Sequence, residues 1–289
     1  MLATILSTLG HAGEYVLQVT AYSVASVPRC ARIYQVRLQV SSGVMTHIGL
    51  EASLAVGVVA LLASTLAAVT GFGGAAVLLP VLVIAFGVRD AVPILTVAQL
   101  IGNASRVWFN RRELDYRVVG WFALGGVPFA LLGGLLFARA PLAGLTRLLG
   151  LFLLLVVAWR RLGPRTTVCP PLRAFALIGA AGSFLSALLG SVGPLMAPFF
   201  LAYGLVKGAY IGTEALSTVV MHVTKLVAYR GAAVLPSASI LTGLAIGPVM
   251  VVGSWTGKRI VDRFPEHVFV LLIEVTMTAA GLLFLIRGR

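Results

Sequence analysis

Apolar runs recur down the whole chain, separated by short polar or glycine-rich stretches. They fall at 50–69, 75–87, 91–108, 118–138, 142–159, 174–189, 194–206, 208–229, 238–256 and 268–286. The pattern predicts helices that cross a membrane, since about 20 residues at 1.5 Å rise span the hydrocarbon core. Two runs, 75–87 and 194–206, would cover only about 20 Å each, too little for a comfortable crossing. Both follow a glycine-rich break: Gly71-Phe72-Gly73-Gly74 and Gly190-Ser191-Val192-Gly193.

The duplicated break points to an internal repeat. Gly71 matches Gly190, Gly74 matches Gly193, Pro80 falls near Pro198, and Gly87 matches Gly204. Arg89 matches Lys207, Ala91 matches Ala209 and Arg106 matches Lys225, while Pro128 and Gly133 match Pro248 and Gly253. The offset drifts only from 117 to 120 residues along this series. The expected fold is therefore an all-α polytopic membrane protein of two repeats, 49–165 and 166–289. Each repeat holds about five helical segments, one of them a short broken or re-entrant helix. An odd number of segments per repeat inverts the second relative to the first. Residues 1–48 mix polar and apolar positions and read as an N-terminal extension, poorly ordered or preceding a true start at Met45.

Composition sharpens this picture. The 289 residues are 59% hydrophobic and 11% charged, with mean hydropathy +1.02, more apolar surface than a soluble domain can hide. The formal net charge of +13 would suggest nucleic acid in a soluble chain. Here the basic residues sit in loops, where they set topology and meet anionic lipid headgroups, so the expected partners are membrane lipid and a small anion, not nucleic acid. A homo-oligomer is compatible with the pattern. Under the five-segment count, the loops at 108–117, 160–173 and 257–267 share one side and hold ten of the 22 arginines and lysines. The positive-inside rule makes that side cytoplasmic, with both termini outside. The chain is expected to be an integral protein of a bacterial inner membrane. Cys30 and Cys169 form no CxxC, and no histidine spacing suggests a metal, so no cofactor is expected. Neither a GxSxG nor paired aspartates are found, which argues against an intramembrane enzyme.

Broken membrane helices are tolerated only where protein or a water-filled cavity satisfies the exposed backbone. Two breaks at equivalent places thus point to a shared cavity. The short helix after each break begins there, and helix N-termini offer free N–H donors and a positive dipole end. Gly71, Gly73, Gly74, Gly190 and Gly193 are the candidate binding residues, because glycine lets a ligand approach the backbone closely. Gly125, Gly126, Gly133 and Gly134 read instead as helix-packing glycines.

Charges within apolar segments are functional candidates. Arg106 and Lys225 either snorkel to the interface or neutralise the anion. Asn103, Ser105, His222 and Thr224 lie within a turn of them, and Thr213 opens the segment that holds Glu214. Asn103, Arg106, Thr213, His222 and Lys225 complete the candidate set. Glu214 either carries a proton, caps its helix or pairs with a basic residue. Glu274, in the last segment, is expected to partner another helix.

At the breaks the chain resembles the TauE/SafE sulfite exporter (TSUP) family. The resemblance rests on Thr70-Gly71-Phe72-Gly73-Gly74 leading to Pro80, on Ala91 through Asn103, and on the Gly- and Pro-rich helix 118–138. In the second half it rests on Gly190-Ser191-Val192-Gly193-Pro194, Ala209-Tyr210-Ile211-Gly212-Thr213 and Gly231, so that it covers residues 50–287. It implies secondary transport of sulfur-containing anions such as sulfite, sulfoacetate or other organosulfonates, and no catalytic residues. The second break lacks the glycine-richer form common in that family. An anion channel and a structural membrane protein without transport are the alternatives. N-terminal sequencing of the native protein decides between the two readings of residues 1–48: a start at Met45 removes the segment, and an intact Met1 makes it a true tail.

Overall fold

The computed structural model describes residues 50–162, 169–260 and 266–287. The N-terminal segment 1–48, Met45 and the expected boundary between the repeats at 165 lie outside them. The described residues form helices α1 (Leu50–Thr70), α2 (Gly74–Phe109), α3 (Tyr116–Arg139), α4 (Leu142–Leu162), α5 (Ala174–Leu189), α6 (Gly193–Ala202), α7 (Lys207–Gly231), α8 (Ser237–Ile260) and α9 (Glu266–Arg287), and no strand. Residues 53–70 of α1, with α2, α3 and α8, are long and apolar enough to cross a membrane.

The sequence pattern separates 75–87 from 91–108, but the structure runs them together as α2. The break survives as a kink: Gly87 adopts φ 75°, ψ 159° inside the helix. A β-branched or bulky residue would be strained there, whereas glycine turns the chain without losing either flank. The matching run, expected at 194–206, ends earlier at Ala202, and Gly204 with φ 99° makes the turn into α7. Both kinks thus sit at residues paired by the sequence repeat.

The helices pack α3 against α5 and α7, α8 against α1 and α2, α2 against α7, and α4 against α9. Exchanging α1 with α5, the later part of α2 with α7, α3 with α8 and α4 with α9 maps this pattern onto itself. Small residues make the closest approaches, as expected where lipid supplies no hydrophobic drive between helices. A methyl group on Gly133 of α3 would come within 2.6 Å of Phe184 O on α5, and one on Gly253 of α8 within 2.7 Å of Leu61 O on α1. Gly125 abuts Ala176 O, Gly126 faces Ser183 and Gly134 faces Ala228, so this set packs helices, as its sequence suggested.

Polar ties hold the ends. Asp115 caps α3, accepting from Arg117 N at 3.0 Å and Val118 N at 3.2 Å. Arg89 donates to Ala138 O and Ala140 O at 2.7 Å each, satisfying carbonyls at the end of α3. Ser239 donates to Asp90 at 3.4 Å. At the other end, Lys258 donates to Phe109 O and to Asn110 Oδ1. Lys258, near the end of α8, therefore lies beside the connection from α2 to α3, and Arg89 and Asp90 lie beside the end of α3 and the start of α8. Glu274 pairs with Arg161 at 2.6 Å, joining α9 to α4.

Gly125→Val should drive a side chain into the Ala176 carbonyl and cost roughly 1–3 kcal/mol of overpacking, read as a Tm lowered by several degrees in detergent. Gly120→Ala, on the same helix with nothing within 4 Å, should leave Tm unchanged or slightly raised; equal behaviour of the two would refute the packing assignment.

Candidate anion site

Both breaks stop the incoming helix in the same way. Gly71, at φ 80°, donates its N–H to Ala67 O at 2.9 Å; Gly190, at φ 86°, donates to Ser186 O at 2.8 Å. A left-handed glycine after the last helical turn satisfies one orphan carbonyl and redirects the chain. After two or three residues a new helix starts, α2 at Gly74 and α6 at Gly193. Neither N-terminus has a side-chain cap, and Pro194 stands early in α6. Their first-turn N–H groups have no partner further back in the helix.

The breaks touch. A methyl group on Gly193 would lie 3.5 Å from Gly73 N and from Phe72 Cβ. Between them is a cavity of about 40 Å³, room for roughly three water molecules and so comparable to a compact oxyanion. One wall is apolar. Phe122 and Phe200 line it, 6.1 Å apart between ring centroids, and Phe175 backs Phe200 at 5.1 Å. The other wall is polar, built by α2 and α7 with Ser186 and Ser191.

Of the sequence candidates, Gly73, Gly74, Gly190, Gly193, Asn103, Arg106, Glu214 and His222 line this cavity. Gly71 does not, although its carbonyl accepts from Arg106 at 3.0 Å. Thr213 faces away and accepts from Asp115 N at 3.0 Å. Lys225 sits behind the lining, 3.1 Å from Ser186 Oγ. Ser105 and Thr224 donate to carbonyls of their own helices. Gly74 also has a packing duty: a methyl group there would lie 2.6 Å from Ala63 O.

Neither basic residue snorkels. Arg106 is 5% exposed and Lys225 0%. Arg106 donates to Ala67 O at 3.1 Å, to Gly71 O, and to Asn103 Oδ1. Its guanidinium thus closes the carbonyl end of α1, where the helix dipole is negative. Glu214 Oε2 stands 3.6 Å from Arg106 Nη1, and Thr218 donates to Oε1 at 3.1 Å. Of the alternatives for Glu214, the ion pair is present.

Sequence reasoning missed Gln99, Ser186, Ser191 and Thr218. At the repeat offset of 119 residues Gln99 corresponds to Thr218, Ala67 to Ser186 and Asn103 to His222, so that only the last pair joins residues already singled out. Gln99 Nε2, Ser191 Oγ, His222 Nδ1 and Glu214 Oε2 are buried without a hydrogen-bond partner. Orphaned polar atoms are costly in a sealed interior, and here they border a space that a polar guest can fill. Among the described residues no cluster of metal-binding side chains occurs.

Residues 56–284 match the family described as sulfite exporter TauE/SafE. Neither a curated protein nor a solved structure gave a match. The family is one of transporters, not of enzymes, and its apolar helices make this an integral membrane protein. With both glycine breaks and the whole cavity lining inside the matched span, the chain belongs to the TauE/SafE sulfite exporter family of membrane transporters.

Proposed function

We propose that the protein is a secondary transporter of a small sulfur-containing oxyanion, held between the N-termini of α2 and α6. The observation that carries this reading is the meeting of two uncapped helix N-termini at one polar cavity. Free N–H groups and the positive ends of two helices favour a negative guest there. Orphaned donors at Gln99 and Ser191 can complete the coordination.

The packing pattern supports an inverted pair of repeats, α1–α4 and α5–α9, related by an axis through the cavity. Its correspondence of α1 with α5 and α3 with α8 follows the pairs Gly71/Gly190 and Gly133/Gly253. Alternating access then comes from rocking one repeat against the other around a fixed site. Among the described residues Glu214 is the one carboxylate in the lining, and it is the proposed proton carrier, since it can trade its ion pair with Arg106 for a proton as the anion enters.

Purified protein in vesicles should show saturable uptake and counter-exchange of sulfite, thiosulfate, sulfoacetate or sulfate; uptake that never saturates and shows no exchange would indicate a channel. Gly193→Ala should fold normally, its methyl group 3.5 Å from Gly73 N, and Gly193→Phe, which fills the space between the breaks, should abolish uptake; normal uptake by the Phe variant would remove the break site. Glu214→Gln should flatten the pH dependence of uptake, and an unchanged profile would take Glu214 out of coupling.

A further inference from the structure

The two buried cations are not equivalent. Arg106 is already compensated. Its donors are taken up by Ala67 O, Gly71 O and Asn103 Oδ1, and the Glu214 carboxylate stands 3.6 Å away. Lys225 is 0% exposed and donates a single hydrogen bond, 3.1 Å to Ser186 Oγ. Among the described residues it has no ion pair. A buried ammonium with one neutral partner is an expensive arrangement unless a negative charge joins it. Ser186 lines the cavity, and its hydroxyl, having accepted from Lys225, keeps its own proton to donate inward.

Resting on the anion-transport reading above, we infer that Lys225 supplies the charge that the transported anion neutralises, relayed through the Ser186 hydroxyl, so that the site admits one net negative charge: a monoanion when Glu214 is ionised, or a dianion when Glu214 carries a proton. The count runs over every charged group at the cavity. Arg106 and Glu214 cancel, Lys225 adds one positive charge, and His222 is taken as neutral because its Nδ1 has no acceptor. Glu214 faces Arg106 from α2 and Thr218 from its own helix, and His222 lines the cavity about two turns further along that helix. The other helices that line the cavity, α1, α3, α5 and α6, bring no titratable side chain into its lining. Glu113 and Asp115, in the connection before α3, meet α7 at Gly208 and Thr213, outside the lining. The carboxylate has no counterpart in the repeat, since Leu95 stands 119 residues before it, so one carboxyl group sets the balance.

The test measures binding of methanesulfonate, a permanent monoanion, and of sulfate and thiosulfate, dianions, to purified wild type and variants across pH, with vesicle uptake as a second readout. Lys225→Met should weaken methanesulfonate about tenfold or more, the loss of one charged contact. Lys225→Arg should retain most of the binding. The double variant Lys225→Met with Glu214→Gln leaves Arg106 uncompensated, restores one positive charge and should recover methanesulfonate binding. In wild type the dianions should bind better as pH falls while methanesulfonate does not change, and Glu214→Gln should abolish that difference. If Lys225→Met misfolds, recovery of both fold and binding in the double variant supports the same count. Binding by wild type with no recovery in the double variant overturns the charge assignment alone. Failure of wild type to bind any of these anions overturns the transport reading with it.

Discussion

The structure depends on one constraint: a backbone interrupted inside a membrane must find partners that lipid does not offer. At the first interruption the carbonyl end of α1 is answered by Arg106, which takes Ala67 O and Gly71 O together. At the second, Ser186 O accepts from Gly190 N, while the neighbouring Ala187 O accepts from Tyr229 Oη at 2.5 Å. The carbonyl ends are closed by protein. The amide ends, at Gly74 and Gly193, are left to the cavity. That division makes the breaks asymmetric along the chain. It leaves two helix N-termini, with their free N–H groups, turned toward one chamber.

The rest of the fold serves this arrangement. Glycines at positions 125, 133 and 253 bring backbones close enough for α3 to seat on α5 and α8 on α1. Those contacts hold the two breaks face to face. The aromatic wall of Phe122 and Phe200, backed by Phe175, closes one flank, opposite the polar groups of α2 and α7. In such surroundings dipoles and charges act more strongly than at a surface.

Much of this was legible in the sequence. Apolar runs gave the helices, and the recurrence of Gly71 and Gly74 at Gly190 and Gly193 led to the cavity. What escaped depends on side-chain direction. Nothing in the sequence says that Thr213, one residue before Glu214, turns toward Asp115 while Glu214 turns inward. Spacing alone also cannot separate Gly74, which packs against Ala63, from Gly193, which does not. The merger of two runs into α2 escaped because a glycine kink and a true helix end carry the same signature. Gln99 and Ser191 are ordinary polar residues in apolar stretches, recognisable only once the cavity beside them is seen.

Arg106 has a mechanical consequence. Its guanidinium, carried on α2, grips the end of α1 and faces a carboxylate on α7. Sliding α1 past α2 would tear both carbonyl bonds at once, so those two helices move together, whereas the ion pair to α7 is a single contact of 3.6 Å. The carbonyl end of α5 is fastened in a like manner to α7, by Lys225 at Ser186 Oγ and by Tyr229 at Ala187 O, so each interrupted helix is tied to a long helix of its own half of the chain.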